Sequence, residues 1–332
     1  MHKILIATVR NDVHPNSVIS LMKEKNIPFF RLNTECLMTD YRFAWIHDNG
    51  SAPDFYIRDI NSGKEIMGHE ISAVWCRRPD KPKELPFAIS EEVDEFNLNE
   101  AKQFYMYLMA YLMDCYSIGN FIYDRRANSK LLQSKVAAEL GMKVAPTCIS
   151  NMKEEIVRFA QPFENVGLKS LKNHWLKAEN DKWYDISTQK VNTAALAEQP
   201  EEAFSQTVSF VQQYIEKKYE LRVTVMGSYI FTCKLDSQLL TADTGAIDWR
   251  QGYDYGLKHE MIDTPEMIAS FCRKYLRHFN LNFGCFDFIL TPEDEYVFLE
   301  CNPNGQWGWI ENECHVPMSE AILDCLVNKI PV

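Results

Sequence analysis

The sequence is as informative in what it lacks as in what it holds. It has ten cysteines but no C-x-x-C pair and no zinc-ligand spacing, so no zinc site is written into it. Cys76, Cys285 and Cys301 lie in apolar stretches, where a free thiol behaves as a small core residue, and the cysteines read as the reduced thiols of a cytosolic protein. An excess of positive charge is also missing: the net charge of −11 argues against a general nucleic-acid binder. The longest apolar run, Phe104–Met113, falls far short of the ~20 residues that span a bilayer and reads as a buried helix. The start, MHKILIATVRND, lacks the longer apolar region and small-residue cleavage site of a signal peptide. No internal repeat and no low-complexity tract interrupts the chain.

What remains is an ordinary globular composition over 332 residues, 46% hydrophobic and 24% charged, enough for two or three packed subdomains without covalent staples. The charge is uneven. Residues 121–180 carry ten basic against six acidic residues, a basic middle in an acidic protein that suits small anions such as nucleotide phosphates and equally suits a solvated basic face.

Lys3–Val9, Ser17–Lys25 and Pro28–Leu32 read as strand, helix and strand, the opening of an open α/β sheet. Strands at Phe43–His47, Asp54–Arg58 and Ser72–Cys76 and a long helix over Glu91–Tyr116 complete a first domain at 1–120. A central lobe, 121–211, begins with a helix at Ser129–Leu140 stopped by Gly141. It continues with a strand at Val166–Leu171, a hairpin of Trp175–Glu179 and Lys182–Ile186 around Asn180-Asp181, and a loop at Thr193–Pro200. Ala203–Gln213 reads as a helix running into a strand. The last lobe, 212–332, holds a hairpin around Gly227-Ser228 and a helix announced by Asp263-Thr264-Pro265, with Met267, Ile268, Phe271, Tyr275 and Leu276 on its apolar face. A final strand pair, Cys285–Leu290 and Tyr296–Asn302, follows.

That last hairpin carries the chemistry. A turn near Glu293–Asp294 sets Asp287 almost opposite Glu300, and the period of two puts Asn302 on the face of Glu300. Two carboxylates among Phe, Ile, Val and Leu repel one another and resist burial unless a hard divalent cation such as Mg²⁺ joins them. Exposure on a polar edge is the competing explanation. Cations also sit in awkward places. Lys169 is mid-strand in VGLKSL, where it either contacts phosphate or lies at a sheet edge in solvent. Lys130 stands at a helix start, where an anion would be welcome and a cation alone is not. Arg222 lies in a β-branched strand two residues from Glu220, on the same side, which a mutual salt bridge would also explain.

Taken in order, Lys130, Lys169, QQYI at 212–215, Glu220-x-Arg222, Asp287 and Glu300-x-Asn302 resemble the ATP-grasp ligases. VWCRRP at 74–79, KKYELRVTVMG at 217–227, DWR at 248–250 and FLECNPNGQWGW at 298–309 resemble the narrower group of graspetide macrocyclases, which mature microviridin-like peptides. The resemblance implies an ATP-grasp fold of α+β lobes behind an N-terminal open α/β, pre-ATP-grasp-like domain. It implies that Lys130 and Lys169 contact ATP phosphates, backbone near Gln213 and Ile215 meets adenine, and Glu220 holds the ribose. Arg222 would face the γ-phosphate and acyl phosphate, Asp287, Glu300 and Asn302 would carry Mg²⁺, and Arg250 would grip a substrate carboxylate. The implied activity is phosphorylation of Asp or Glu side chains of a precursor peptide, with leader and acidic core, and closure of ester or amide rings by its Ser, Thr or Lys.

The stretch 172–190, with Trp175, Trp183 and Tyr184 among lysines, would dock the leader or simply pack its lobe. The chain departs from the pattern between Lys169 and Gln212, where no glycine-rich phosphate loop is visible, and Arg77-Arg78-Pro79 reads as structural or interfacial. Two other functions fit the same residues: a RimK-like ligase adding amino acids to a small substrate or protein C-terminus, and a non-catalytic nucleotide-binding module. An isologous homodimer is the default assembly.

Overall fold

The computed structural model describes residues 2–50, 52, 54–171, 175–177, 183–185, 188–239 and 257–332, with backbone only at 175–177, 183–185 and 239. The opening third builds a parallel sheet in the order Phe29–Asn33, Lys3–Thr8, Ile71–Cys76, Ser117–Ile118. Lys3–Thr8 is buried along nearly its whole length because both faces are covered, which is why it reads as a continuous apolar run rather than an alternating one. Leu5, Ala7 and Val74 face the helix Glu91–Leu112 through Tyr105, Leu108, Met109 and Leu112. Ile4, Ile6 and Trp75 on the opposite face share a core with the helices His14–Glu24 and Met318–Asn328 and with Met226 and Leu235. The two ends of the sequence are thereby packed into one core. A separate antiparallel meander, Tyr41–Ile46, Asp54–Asp59 and Glu65–Met67, flanks the first sheet.

Two larger antiparallel sheets frame the remainder. The smaller has the order Gln189–Asn192, Asn165–Lys169, Ser209–Gln213, Thr147–Ser150. The larger has the order His259–Ile262, Tyr229–Leu235, Tyr219–Met226, Phe283–Leu290, Tyr296–Asn302 and, parallel at the edge, Lys143–Val144. Residues 214–218 join the two sheets. One face of the large sheet is closed by the helices Lys130–Glu139 and Glu266–His278. There Phe271 meets Phe286, Phe288 and Phe298 at ring distances of 6.3, 5.8 and 5.5 Å.

Several expected elements differ. The first helix begins at His14, with Pro15 in its opening turn, where proline costs no hydrogen bond. Thr193–Ala197 is a short helix, not a loop, because Asn192 caps it by accepting from the Ala194 amide at 2.9 Å. Thr264 does not cap the helix Glu266–His278: its hydroxyl meets that of Thr232 at 2.7 Å. Met267 is 55% exposed, and Cys272 takes its place in the buried face. The run Phe104–Met113 is only half interior, with Tyr107 and Tyr111 exposed. Trp175–Lys177 and Trp183–Asp185 do pair antiparallel; the turn between them lies outside the described residues. No helix among the described residues is long and apolar enough to cross a membrane, and all ten cysteines are free.

Candidate active site

The site grows from a single irregularity. Phe288 pairs with Phe298 and Ile289 with Val297, but Asp287 pairs with Glu300, so Leu299 is an extra residue in its strand. Such a bulge resets which residues share a face. Phe286, Phe288, Phe298 and Cys301 turn into the core under the helix Glu266–His278. Asp287, Glu300 and Asn302 gather on the other side, where the Asn302 amide nitrogen lies 3.1 Å from Glu300 Oε1 and 3.5 Å from Asp287 Oδ2.

Cations meet these donors. Arg222 lies directly opposite Asp287 in the neighbouring strand. Its Nη1 donates to both Asp287 oxygens, at 3.0 and 2.9 Å, and its Nη2 to the Gln306 carbonyl at 3.0 Å. Burial opposes the charge on Arg222, but the facing carboxylate outweighs it and holds the guanidinium above its ordinary range. Arg222 Nε is buried without a hydrogen-bond partner. Burying an ion pair costs several kcal/mol per ion, a cost that stability alone rarely justifies. Gly305 packs against this arginine: a Cβ there would come within 2.9 Å of Nη2 and 2.5 Å of Cys285 Cβ.

Lys130 opens the helix Lys130–Glu139, behind the cap Ser129, and forms an ion pair with Glu300. A lysine at a helix start opposes the dipole, and Glu300 supplies the compensating charge. Gln133, one turn further on and 1% exposed, fastens this helix to the ribbon. Its amide donates to the carbonyls of Ala127 and Cys301 at 2.7 and 2.8 Å and accepts from the Cys301 amide at 3.1 Å. It thus completes the ladder of a strand whose neighbour Lys143–Val144 reaches only as far as Phe298.

Glu220 and Arg222 share a strand face but do not neutralise one another. Glu220 forms a buried ion pair with Lys217 and accepts from the Ser237 hydroxyl at 3.0 Å. On the smaller sheet Lys169 Nζ donates to Gln212 Oε1 at 2.7 Å, and Gln212 donates on to Thr147 at 2.9 Å. Gln213 ends its strand by donating its amide to the Pro146 carbonyl at 2.9 Å, and Ile215 lies in the segment joining the sheets.

Lys130, Arg222, Asp287, Glu300 and Asn302 therefore form one bonded network. Glu220 stands beside it, Lys169 and Gln213 belong to the other sheet, and Arg250 lies outside the described residues with the rest of DWR. Sequence reasoning missed Lys217, Gln133 and Ser237. The doubled lysine before Tyr219 was a signal for the first; the others are polar residues in unremarkable contexts, visible only through their partners.

The donor set suits a hard divalent cation: two carboxylates and an amide, without thiol or imidazole. A half-turn of the Asn302 amide exchanges its donor for an oxygen. Among the described residues, no cluster of three or more His, Cys, Asp or Glu offers a competing metal site.

Comparison with known proteins follows the same lines. The family model of the MvdD pre-ATP grasp domain matches residues 3–124. No curated protein matches the chain. A RiPP-associated ATP-grasp ligase from Chryseobacterium gregarium, solved in complex with ADP and a leader and core peptide, has a TM-score of 0.87 at 27% identity, covering 100% of this chain and 98% of its own. The macrocyclase MdnC of Microcystis aeruginosa, bound with precursor peptide MdnA, gives 0.83 at 28% identity over 98% of this chain and 99% of its own. MdnB from the same organism gives 0.77 at 26%, with coverage of 98% and 99%.

Proposed function

We propose that this chain, an ATP-grasp ligase resembling the graspetide macrocyclases, activates Asp or Glu side chains of a ribosomal precursor peptide and closes them into rings. The observation that carries the reading is the network Lys130–Glu300–Asn302–Asp287–Arg222: oxygen donors for a metal and cations for phosphate, on one face of a ribbon that is otherwise core. Support comes from relatives of nearly full-length similarity that hold ADP with leader and core peptide, or a precursor peptide.

A carboxylate is a poor electrophile. The substrate carboxylate first takes the γ-phosphoryl group of ATP, becoming an acyl phosphate; a Ser or Thr hydroxyl or a Lys amine then attacks its carbonyl carbon and phosphate leaves. Lys130 and Lys169 balance charge on the phosphates, and Arg222, anchored by Asp287, keeps a buried donor available for a transferring oxygen. Asp287, Glu300 and Asn302 would hold Mg²⁺, which when bound would offset negative charge on the nucleotide phosphates. Backbone at Gln213 and Ile215 serves adenine and Glu220 the ribose, while Arg250 takes the substrate carboxylate bidentately. The stretch 172–190, whose strands Trp175–Lys177 and Trp183–Asp185 pair antiparallel, is the candidate surface for the leader. The setting is cytoplasmic, and the assembly an isologous dimer.

The test is turnover with a peptide of that class, ATP and Mg²⁺. The reading requires ADP release that depends on the peptide and a product lighter by one water per ring. ADP release with free amino acids and no peptide would instead point to the RimK-like reaction.

A further inference from the structure

The reaction assigned above uses one side of the loop 303–306; the other side is held by a buried polar cluster that the reaction leaves unexplained. Arg77 is 2% exposed, and its Nη1 donates to the Asn304 carbonyl at 2.6 Å while its Nε lies 3.5 Å from Asp12 Oδ2. Arg78, held in the left-handed region at φ 48°, donates through Nε to the same carbonyl at 3.0 Å. The Asn304 side chain donates to buried Asp124, whose other oxygen accepts from the Asn120 amide at 3.1 Å. Asp12, Arg77, Arg78 and Asp124 all belong to the opening 124 residues, and Asn304 follows the ribbon. Two residues before Asn304 stands Asn302; two residues after it, the Gln306 carbonyl accepts from Arg222, and Gly305 between them has no room for a side chain.

Apolar packing joins domains without the desolvation that buried guanidinium and carboxylate groups entail, whereas directional polar contacts admit only one placement of a loop. From this we infer that Arg77, Arg78 and Asp124, acting through Asn304, are positioning residues: they fix the loop 303–306 and with it the Asn302 amide. Mg²⁺ affinity therefore depends on the N-terminal domain, although Arg77, Arg78 and Asp124 are not among the proposed metal donors. The inference rests on the ATP-grasp reading above.

The experiment is a calorimetric titration of Mg²⁺ into the full chain saturated with a non-hydrolysable ATP analogue, beside analogue binding in chelator and thermal melting of the nucleotide-free protein. Asn304→Ala removes the donor to Asp124, and Asp124→Ala removes the acceptor. Each raises the half-saturating Mg²⁺ concentration about tenfold, leaving analogue binding in chelator unchanged. The exchanged pair Asp124→Asn with Asn304→Asp restores the hydrogen bond with donor and acceptor reversed, and returns the requirement to within about twofold of wild type. An unchanged Mg²⁺ requirement in the single variants, an exchanged pair as impaired as they are, or a parallel loss of analogue binding in chelator overturns the inference. Should a buried variant fail to fold, Arg78→Gln at an exposed side chain decides: a raised requirement supports the inference and an unchanged one rejects it. A wild-type chain that binds no analogue even with Mg²⁺ overturns the ATP-grasp reading instead.

Discussion

Asp287 stands opposite Glu300 only because Leu299 is an extra residue in its strand. In a regular ladder continued from the pair Phe288–Phe298, Asp287 would face Leu299, and Glu300 would follow Phe298 into the aromatic core. The bulge reverses that, and the two carboxylates meet on a face lined by cations.

Asp287→Ala leaves Arg222 buried without its carboxylate and lowers stability by about 3–5 kcal/mol. The pair Arg222→Met with Asp287→Leu regains most of that loss, since it removes both buried charges, yet shows no ATP turnover. Chemical denaturation and ADP release, measured on the same preparations, check the separation of stability from chemistry.

Lys130 and Glu300 behave differently because their side chains are 20% and 24% exposed. Lys130→Met costs no more than about 1 kcal/mol in denaturant melts. Turnover falls on the order of a hundredfold if Lys130 balances phosphate charge as proposed. Glu300→Gln keeps the shape of the site and abolishes Mg²⁺-dependent turnover.

Gln133→Met removes the three hydrogen bonds that bind the helix Lys130–Glu139 to Cys301 and Ala127. Buried backbone groups left without partners cost about 1–3 kcal/mol each, so for three such groups a loss of at least about 3 kcal/mol is expected. Hydrogen exchange at the Cys301 amide should rise above that of Phe286, its pairing partner.

Acid sensitivity has a named contributor in Asp12. Burial raises its pKa, but hydrogen bonds from His14 and the charge of Arg77 outweigh that and leave it lowered overall. A carboxyl whose folded pKa is depressed contributes stability above its unfolded value, near 3.9, and loses it as pH falls through the folded value. Asp12→Asn should therefore lower the melting temperature at neutral pH and flatten its dependence on pH below about 4. Equal pH slopes for the variant and the parent would remove Asp12 from this role.

The strands and helices of the last lobe were legible because hydrophobic period and turn residues agree there, as at Gly227-Ser228 and Thr291–Glu295. A turn centred on Glu293–Asp294 sets Asp287 opposite Glu300, but the hairpin runs one residue off that register, Phe288 with Phe298, and only the bulge at Leu299, which looks like any apolar strand residue, restores the pair. Gln133 was hidden because its partner Cys301 is distant in sequence, and Lys217 because Glu220, three residues on, read as the partner of Arg222. The helix Thr193–Ala197 was missed because its cap, Asn192, lies just before the segment read as loop. The match of residues 3–124 to a pre-ATP grasp domain agrees with the open α/β sheet expected of the opening third.

The central claim is that a carboxylate is phosphorylated at this site before a ring closes. The most direct measurement uses a precursor peptide whose Asp and Glu side chains carry heavy oxygen, turned over with ATP and Mg²⁺. One labelled oxygen should appear in inorganic phosphate for each ring formed. Ring formation with unlabelled phosphate would contradict the acyl phosphate and the role given to Arg222 and the ribbon donors.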